Sequence, residues 1–184
     1  MIIRRAFWYL RHGETAWNAQ NLSQGSIDIP LNDVGIAQAH AATRALTGRG
    51  IRTIVSSPLS RATRTAQIVA DSMGLTVSTD PELAEVAFGV QEGQPMGAWF
   101  DDWLAGHMTP EGAEPFDALG ERGVRAINRA LAMEAPVLVV AHGALFRALR
   151  GRMGLPVTVR TANAAPLFCE PGHLPGSQWT LTAF

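Results

Sequence analysis

The chain contains no lysine. All 15 of its basic residues are arginine, a habit of composition rather than a sign of function. Cysteine is nearly absent too: Cys169 stands alone, so no intrachain disulfide can form, and a reducing, cytoplasmic setting is the expectation. An excess of either charge is lacking, with 15 basic against 16 acidic residues and a net charge of −1, which argues against nucleic acid as a partner. No apolar run approaches the roughly 20 residues of a membrane-spanning helix. The stretch "MIIRRAFWYL" (1–10) places two arginines before only a short apolar segment, so neither a signal peptide nor a membrane partner is expected. Repeats, low-complexity tracts and linkers are missing as well. At 184 residues, one well-buried domain over 1–184 is the expected organisation. Nothing in the sequence signals an oligomeric state.

What is present is a recurring grammar: a short apolar run, then polar residues with Gly or Pro, then a helical pattern. "AFWYL" (6–10), "IRTIVSS" (51–57) and "APVLVVA" (135–141) are too short for typical helices and read as buried strands of a mainly parallel sheet. Helical patterns occupy residues 31–50, with Asn32 or Asp33 as N-cap and Gly48 or Gly50 as stop, and 59–74, with Ser60 as cap and Gly74 as stop. Residues 114–134 and 143–153 read as further helices. "APLFCEPG" (165–172) and "SQWTLTAF" (177–184) read as a terminal strand pair, antiparallel to the rest. Alternation of strands and helices predicts an α/β fold with a mainly parallel sheet.

Three of the apolar runs end in unusual chemistry. The first stops at Arg11-His12-Gly13, the second leads through Ser57 to Arg61, and the third ends at His142-Gly143. Two adjacent groups that can both be cationic oppose each other unless an anion lies between them. Ligands of open α/β sheets bind outside the carboxyl ends of the strands. If the three strands are neighbours, two arginines and two histidines converge there beside helix N-termini, a set that suits a phosphoryl group. Any one of these residues alone would be a turn residue or a solvated helix face, as Arg64 is expected to be.

The motifs "RHGETAWN" (11–18), "QGSIDIPLNDVGIAQA" (24–39), "SSPLSRATRTA" (56–66), "LAEVAFGVQEG" (83–93) and "VAHG" (140–143) resemble the histidine phosphatase superfamily, more narrowly its phosphoglycerate-mutase-like branch. The resemblance implies a three-layer α/β/α sandwich and a phosphohistidine intermediate. It implies His12 as nucleophile, with Arg11, Arg61 and His142 holding the phosphoryl oxygens and Glu85 as proton donor; a protonated His142 would stabilise the charge of the transition state, while its charge in an empty site stays open. It further implies that Asn18, Gln24 and Gly25 line the phosphate or substrate side, with Gly143 and Ala144 close by. The nearby Glu82 and Glu92 compete with Glu85 on sequence grounds. No metal and no cofactor are expected.

Three activities remain to be separated. A metal-independent, acid-type phosphatase admits water to the phosphohistidine; a phosphoglycerate mutase excludes it and needs extra cations for a sugar acid; a phospho-ligand-binding regulator has lost its catalytic groups. All the catalytic groups are present. Residues 85–121, the expected cap or lid over the site, hold no basic residue from Val90 to Glu121 but seven acids: Glu92, Asp101, Asp102, Glu111, Glu114, Asp117 and Glu121. A cover of that charge repels a second anion. The expectation is therefore a phosphatase for a small-molecule phosphomonoester with an uncharged or apolar leaving group. Trp99, Phe100 and Trp103 fit either a leaving-group wall or a core-facing helix side.

Overall fold

In the computed structural model, which describes residues 1–174 and 176–184, six strands form one sheet. They are β1 (Phe7–Arg11), β2 (Thr53–Ser56), β3 (Val77–Thr79), β4 (Val137–Ala141), β5 (Pro166–Glu170) and β6 (Thr180–Ala183), in the spatial order β3-β2-β4-β1-β5-β6. The pairings β3–β2, β2–β4 and β4–β1 are parallel, and β5 and β6 are antiparallel. The α/β prediction with a mainly parallel sheet and an antiparallel terminal pair holds. The helices are α1 (Ala16–Ala19), α2 (Asp33–Leu46), α3 (Ser60–Met73), α4 (Ala98–Leu104), α5 (Phe116–Leu131) and α6 (Gly143–Arg152). Among the described residues, no helix is long and apolar enough to cross a membrane.

The strands β1 and β4 are buried along their whole length, and successive side chains point to opposite faces. Phe7, Tyr9 and Val139 pack with α5 and α6, while Trp8, Leu10, Leu138 and Val140 pack with α2 and α3. The sheet is therefore covered on both faces, which gives three layers. Each large side chain taken fully out of water contributes about 1.5–3 kcal/mol, and this double burial explains why the strands read as unbroken apolar runs.

Helix ends differ from the sequence reading in one instructive place. Asn32 caps α2 through its side chain, which accepts from Gly35 N–H at 2.8 Å, and Gly74 ends α3 in the left-handed conformation. The predicted cap Ser60 is instead the first residue of α3. Asp28 accepts from its N–H at 2.8 Å and its hydroxyl at 2.7 Å, so a distant loop supplies the cap. Strand β3 and the short helix α1 had no sequence signal, whereas α4 carries Trp99, Phe100 and Trp103, whose spacing allowed a core-facing helix side.

Candidate active site

The registers of the parallel strands build the site. Arg11 pairs with Ala141 across β1 and β4, so the next residues, His12 and His142, leave the sheet side by side with ring centroids 5.2 Å apart. On the other flank of β4, Ser57 N–H donates to Val140 O at 3.0 Å, which brings Ser57 and the start of α3 to the same edge. Three sequence-distant motifs thus meet because β2, β4 and β1 are adjacent, as the strand-end argument requires.

A cavity of about 230 Å³ opens at this edge. Arg11, His12, Asn18, Gln24, Gly25, Arg61, Glu85, Gly143 and Ala144 all line it, so nine of the ten sequence-predicted residues are on its wall. The tenth, His142, stands behind the wall, fully buried at 0% exposure. The reason is its partner: its Nε2 lies 2.7 Å from Ser57 Oγ. That oxygen also accepts from Leu59 N–H at 3.2 Å, and directing its own proton to His142 Nε2 gives the hydroxyl hydrogen a partner as well. A neutral ring then carries its hydrogen on Nδ1, which has no partner. Tyr9 fixes the same residue from below, its hydroxyl donating to His142 O at 2.8 Å and accepting from His142 N–H at 3.1 Å.

The charges in the cage explain what the opening motif lacks. Arg11 and Arg61 are buried, and their guanidinium groups donate to backbone carbonyls: Arg11 to Thr161 O at 2.7 Å, Arg61 to Ile27 O and Gly25 O at 2.8 Å each. Among the described residues neither forms an ion pair, and the Nε of each is buried without a partner. Burial pulls Arg11 down to about 10 despite the opposing pull of Glu85. Two buried cations with no acid in contact are costly unless an anion joins them. The histidines respond to the same field. Burial, then Arg11 and Arg61, holds His12 well below its ordinary value, so it is neutral, as a nucleophile must be. Burial, then Arg61, His12 and Arg11, does the same to His142. The sequence left the charge of His142 in an empty site open, and the fold holds it neutral.

Backbone geometry orients the nucleophile. The Nδ1 of His12 lies 2.7 Å from Gly13 O. A carbonyl only accepts, so Nδ1 carries the hydrogen and Nε2 holds the free lone pair. Gly143 allows a close approach: a Cβ there would stand 3.3 Å from Arg11 Nε, tight enough to press on the guanidinium. Gly25 has φ +51, and a Cβ there would meet the Glu92 carboxylate at 2.1 Å.

The three competing glutamates separate cleanly. Glu82 pairs with Arg125 and Arg129 on the surface. Glu92 accepts from Ser26 and from Phe88 N–H. Glu85 alone reaches the cavity, and its carboxylate accepts from Val86, Ala144 and Leu145 N–H at 3.1, 3.0 and 2.9 Å. The segment carrying it is clamped by Arg122, which donates to Glu82 O and Ala84 O and grips Glu114 through two bonds. Asn18 accepts from Asn163 at 3.2 Å, and Gln24 accepts from the Thr15 hydroxyl at 2.8 Å.

The leaving-group side departs from expectation. Of residues 90–121, only Met96 and Phe100 line the cavity; none of the seven acids does. Trp103 is core, buried among Phe88 and Phe116 with its N–H donated to Glu114 O. Arg147, Arg160, Thr161 and Ser23 also line the cavity, residues the sequence reading did not select. Arg147 follows Gly143 and Ala144 at helical spacing and so shares their face, a signal that was available; Arg160 sits in a loop and gave none.

Comparisons with known proteins give the chain its family. The family model of the histidine phosphatase superfamily (branch 1) matches residues 7–161. A probable phosphoglycerate mutase GpmB of Yersinia pestis is 40% identical over 162 residues, covering 81% of this chain and 75% of its own. The solved structure of a mycobacterial glucosyl-3-phosphoglycerate phosphatase complexed with VO3 superimposes with a TM-score of 0.85 at 30% identity over 98% of both chains. A protein of Thermus thermophilus gives 0.75 at 30% identity over 89% of this chain and 92% of its own. With the paired histidines and arginines placed at adjacent strand ends and a match along most of its length, the chain belongs to the histidine phosphatase superfamily, in its phosphoglycerate-mutase-like branch.

Proposed function

We propose that the protein is a phosphatase that hydrolyses a small-molecule phosphomonoester through a covalent phosphohistidine on His12. The observation that carries the reading is the unneutralised cage: two buried arginines and two neutral histidines around a cavity with an oriented nucleophilic nitrogen. His12 Nε2 attacks phosphorus as the P–O bond to the alcohol breaks. Charge on the equatorial oxygens meets Arg11, Arg61 and the unpartnered Nδ1–H of His142 in a site already organised for it. Glu85 gives its proton to the departing alkoxide, since an alkoxide is a poor leaving group. It then takes a proton from water as that water attacks the phosphohistidine, and the P–N bond breaks to restore neutral His12.

Hydrolysis rather than transfer is supported by access. Exposed Asn21 and Arg160 border the cavity, and the segment 85–121, proposed as its cap, puts four residues on the wall, Glu85, Phe88, Met96 and Phe100. Water can reach Glu85. A second reading, a phosphoglycerate mutase, draws on Arg147 and Arg160, which supply cations beyond the phosphoryl cage. An inactive phospho-ligand binder is disfavoured by the complete catalytic set. Cys169 is buried, with its thiol pushed up by that burial, and takes no part; a reducing cytoplasm suits it.

Rapid quench with a radiolabelled phosphomonoester, with and without 3-phosphoglycerate as acceptor, tests the reading. The expected result is an acid-labile, base-stable label on wild type, absent from His12→Ala, that decays to inorganic phosphate. Transfer of the label to 3-phosphoglycerate would establish the mutase.

A further inference from the structure

Tyr9 is the only tyrosine of the chain, and the proposed chemistry leaves it unused. It stands in the middle of β1, fully buried, with Phe7, Trp8 and Leu10 as strand neighbours. A hydroxyl in such a place needs partners of its own. Both of its bonds fall on one residue at the end of another strand: it donates to His142 O at 2.8 Å and accepts from His142 N–H at 3.1 Å. Burial, then the charge of Glu85, pushes the phenol up, so it keeps the proton that it donates. The ring stacks on Phe146 with centroids 4.0 Å apart.

What Tyr9 holds is the start of α6. His142 is the N-cap of that helix, yet its side chain caps nothing, because the ring is turned to Ser57. The N–H groups that a capping side chain would take, those of Ala144 and Leu145, go to the Glu85 carboxylate instead. The bond from Phe146 N–H to His142 O is long at 3.3 Å, and the same carbonyl takes the shorter bond from Tyr9. One helical turn therefore carries both His142 and the two donors that locate Glu85, and the Tyr9 hydroxyl ties that turn to β1. A buried tyrosine that only satisfied itself could use any carbonyl; here both bonds fall on the backbone of a residue of the cage.

We propose that Tyr9 is a positioning residue for phosphoryl transfer: its hydroxyl fixes the first turn of α6 and so sets His142 and Glu85 in register with each other. The inference rests on the roles that the phosphatase reading gives to those two residues. Tyr9 does not line the cavity, so it acts only through them. Because reacting groups tolerate little misplacement, loss of the hydroxyl should weaken phosphoryl binding and proton donation together.

The test is Tyr9→Phe, which removes one oxygen and keeps the ring on Phe146; circular dichroism checks that it folds. Phosphate release is followed from glycerol 3-phosphate, whose alkoxide needs a proton, and from p-nitrophenyl phosphate, whose leaving group does not. The variant should lose roughly tenfold in kcat/KM with the first and roughly threefold with the second. It should also bind inorganic phosphate roughly threefold more weakly by calorimetry. In a Glu85→Gln background Tyr9→Phe should affect both esters equally, since no proton donor is left to misplace. A lower melting temperature with unchanged kcat/KM and phosphate affinity would make Tyr9 a core residue only and overturn the proposal. An ester-specific loss that persists in Glu85→Gln would overturn it too. If the variant does not fold, hydrogen exchange of wild type decides: the His142 amide should exchange only with global unfolding, and exchange at the rate of loop amides would overturn the clamp. Failure of wild type to release phosphate from either ester would count against the phosphatase reading instead. The phosphate affinity of Tyr9→Phe then tests the placing of His142 by itself, and an unchanged affinity would overturn it.

Discussion

The two ends of the cavity are built differently. At the phosphoryl end, every group comes from the end of a buried strand or the first turn of the helix after it, and backbone carbonyls or a buried hydroxyl hold it: Arg11 by Thr161 O, Arg61 by Gly25 O and Ile27 O, His12 by Gly13 O, His142 by Ser57. At the leaving-group end, Phe100 and Met96 come from the cap segment, Arg147 from one turn into α6, and Arg160 from an exposed loop. The first end is rigid because the sheet sets it. The second rests on side chains whose neighbours can change without disturbing the core. The ends meet at one loop, where Thr161 O holds Arg11 and Arg160 lines the cavity, so a fold of this kind can keep one chemistry and exchange substrates as long as that carbonyl stays in place.

That division predicts how substitutions should sort. His12→Ala removes the nucleophile, and turnover should fall by about 10⁴-fold or more for every phosphomonoester; a loss confined to some substrates would break the comparison. Glu85→Gln should cost roughly 10²-fold with alkyl phosphates and far less with p-nitrophenyl phosphate, whose leaving group needs no proton. An equal loss with both would remove Glu85 from the general-acid role. Ser57→Ala takes the partner from His142 Nε2, and a uniform drop of about five- to tenfold is expected, with the ratio of acidic to neutral substrates unchanged. A shift in that ratio would show the two ends to be coupled.

The smallest effect is one of pH. Burial and the two arginines depress His12, so the acid limb of kcat/KM, corrected for ionisation of the substrate phosphate, should lie below 6.5. A limb at or above 6.5 would contradict a neutral, cation-flanked nucleophile. The sign carries over to stability. His12 and His142 are held neutral in the fold, while the unfolded chain takes up protons near 6.5, so the ligand-free protein should lose stability as pH falls below that value. Thermal unfolding between pH 7 and 5 measures it.

The same division governs what could be read from sequence. The phosphoryl end was legible because its residues sit immediately after apolar runs, where polar groups are conspicuous and strand adjacency is the only further requirement. His142 was legible at its strand end, but its charge in the empty site was not, since the partnering of Nε2 by Ser57 and the burial of the ring exist only in the assembled fold. The leaving-group end was misread. A run of acids in a cap suggests a negative cover, yet Glu114 is held by Arg122, Glu92 binds Ser26 and Phe88 N–H, and Asp117 pairs with Arg152. Composition along a segment does not say which way its side chains face. Strand β3 escaped for a simpler reason, as three residues are too few to show a period.

The account stands most directly on a single intermediate shared by all substrates. Single-turnover quenched flow can phosphorylate the enzyme from p-nitrophenyl phosphate and, separately, from 3-phosphoglycerate, then follow decay of the acid-labile label on His12. The account predicts one decay constant whichever donor supplied the phosphoryl group, with donors differing only in how fast the label forms. Donor-dependent decay, or phosphate release without any acid-labile label, would contradict it.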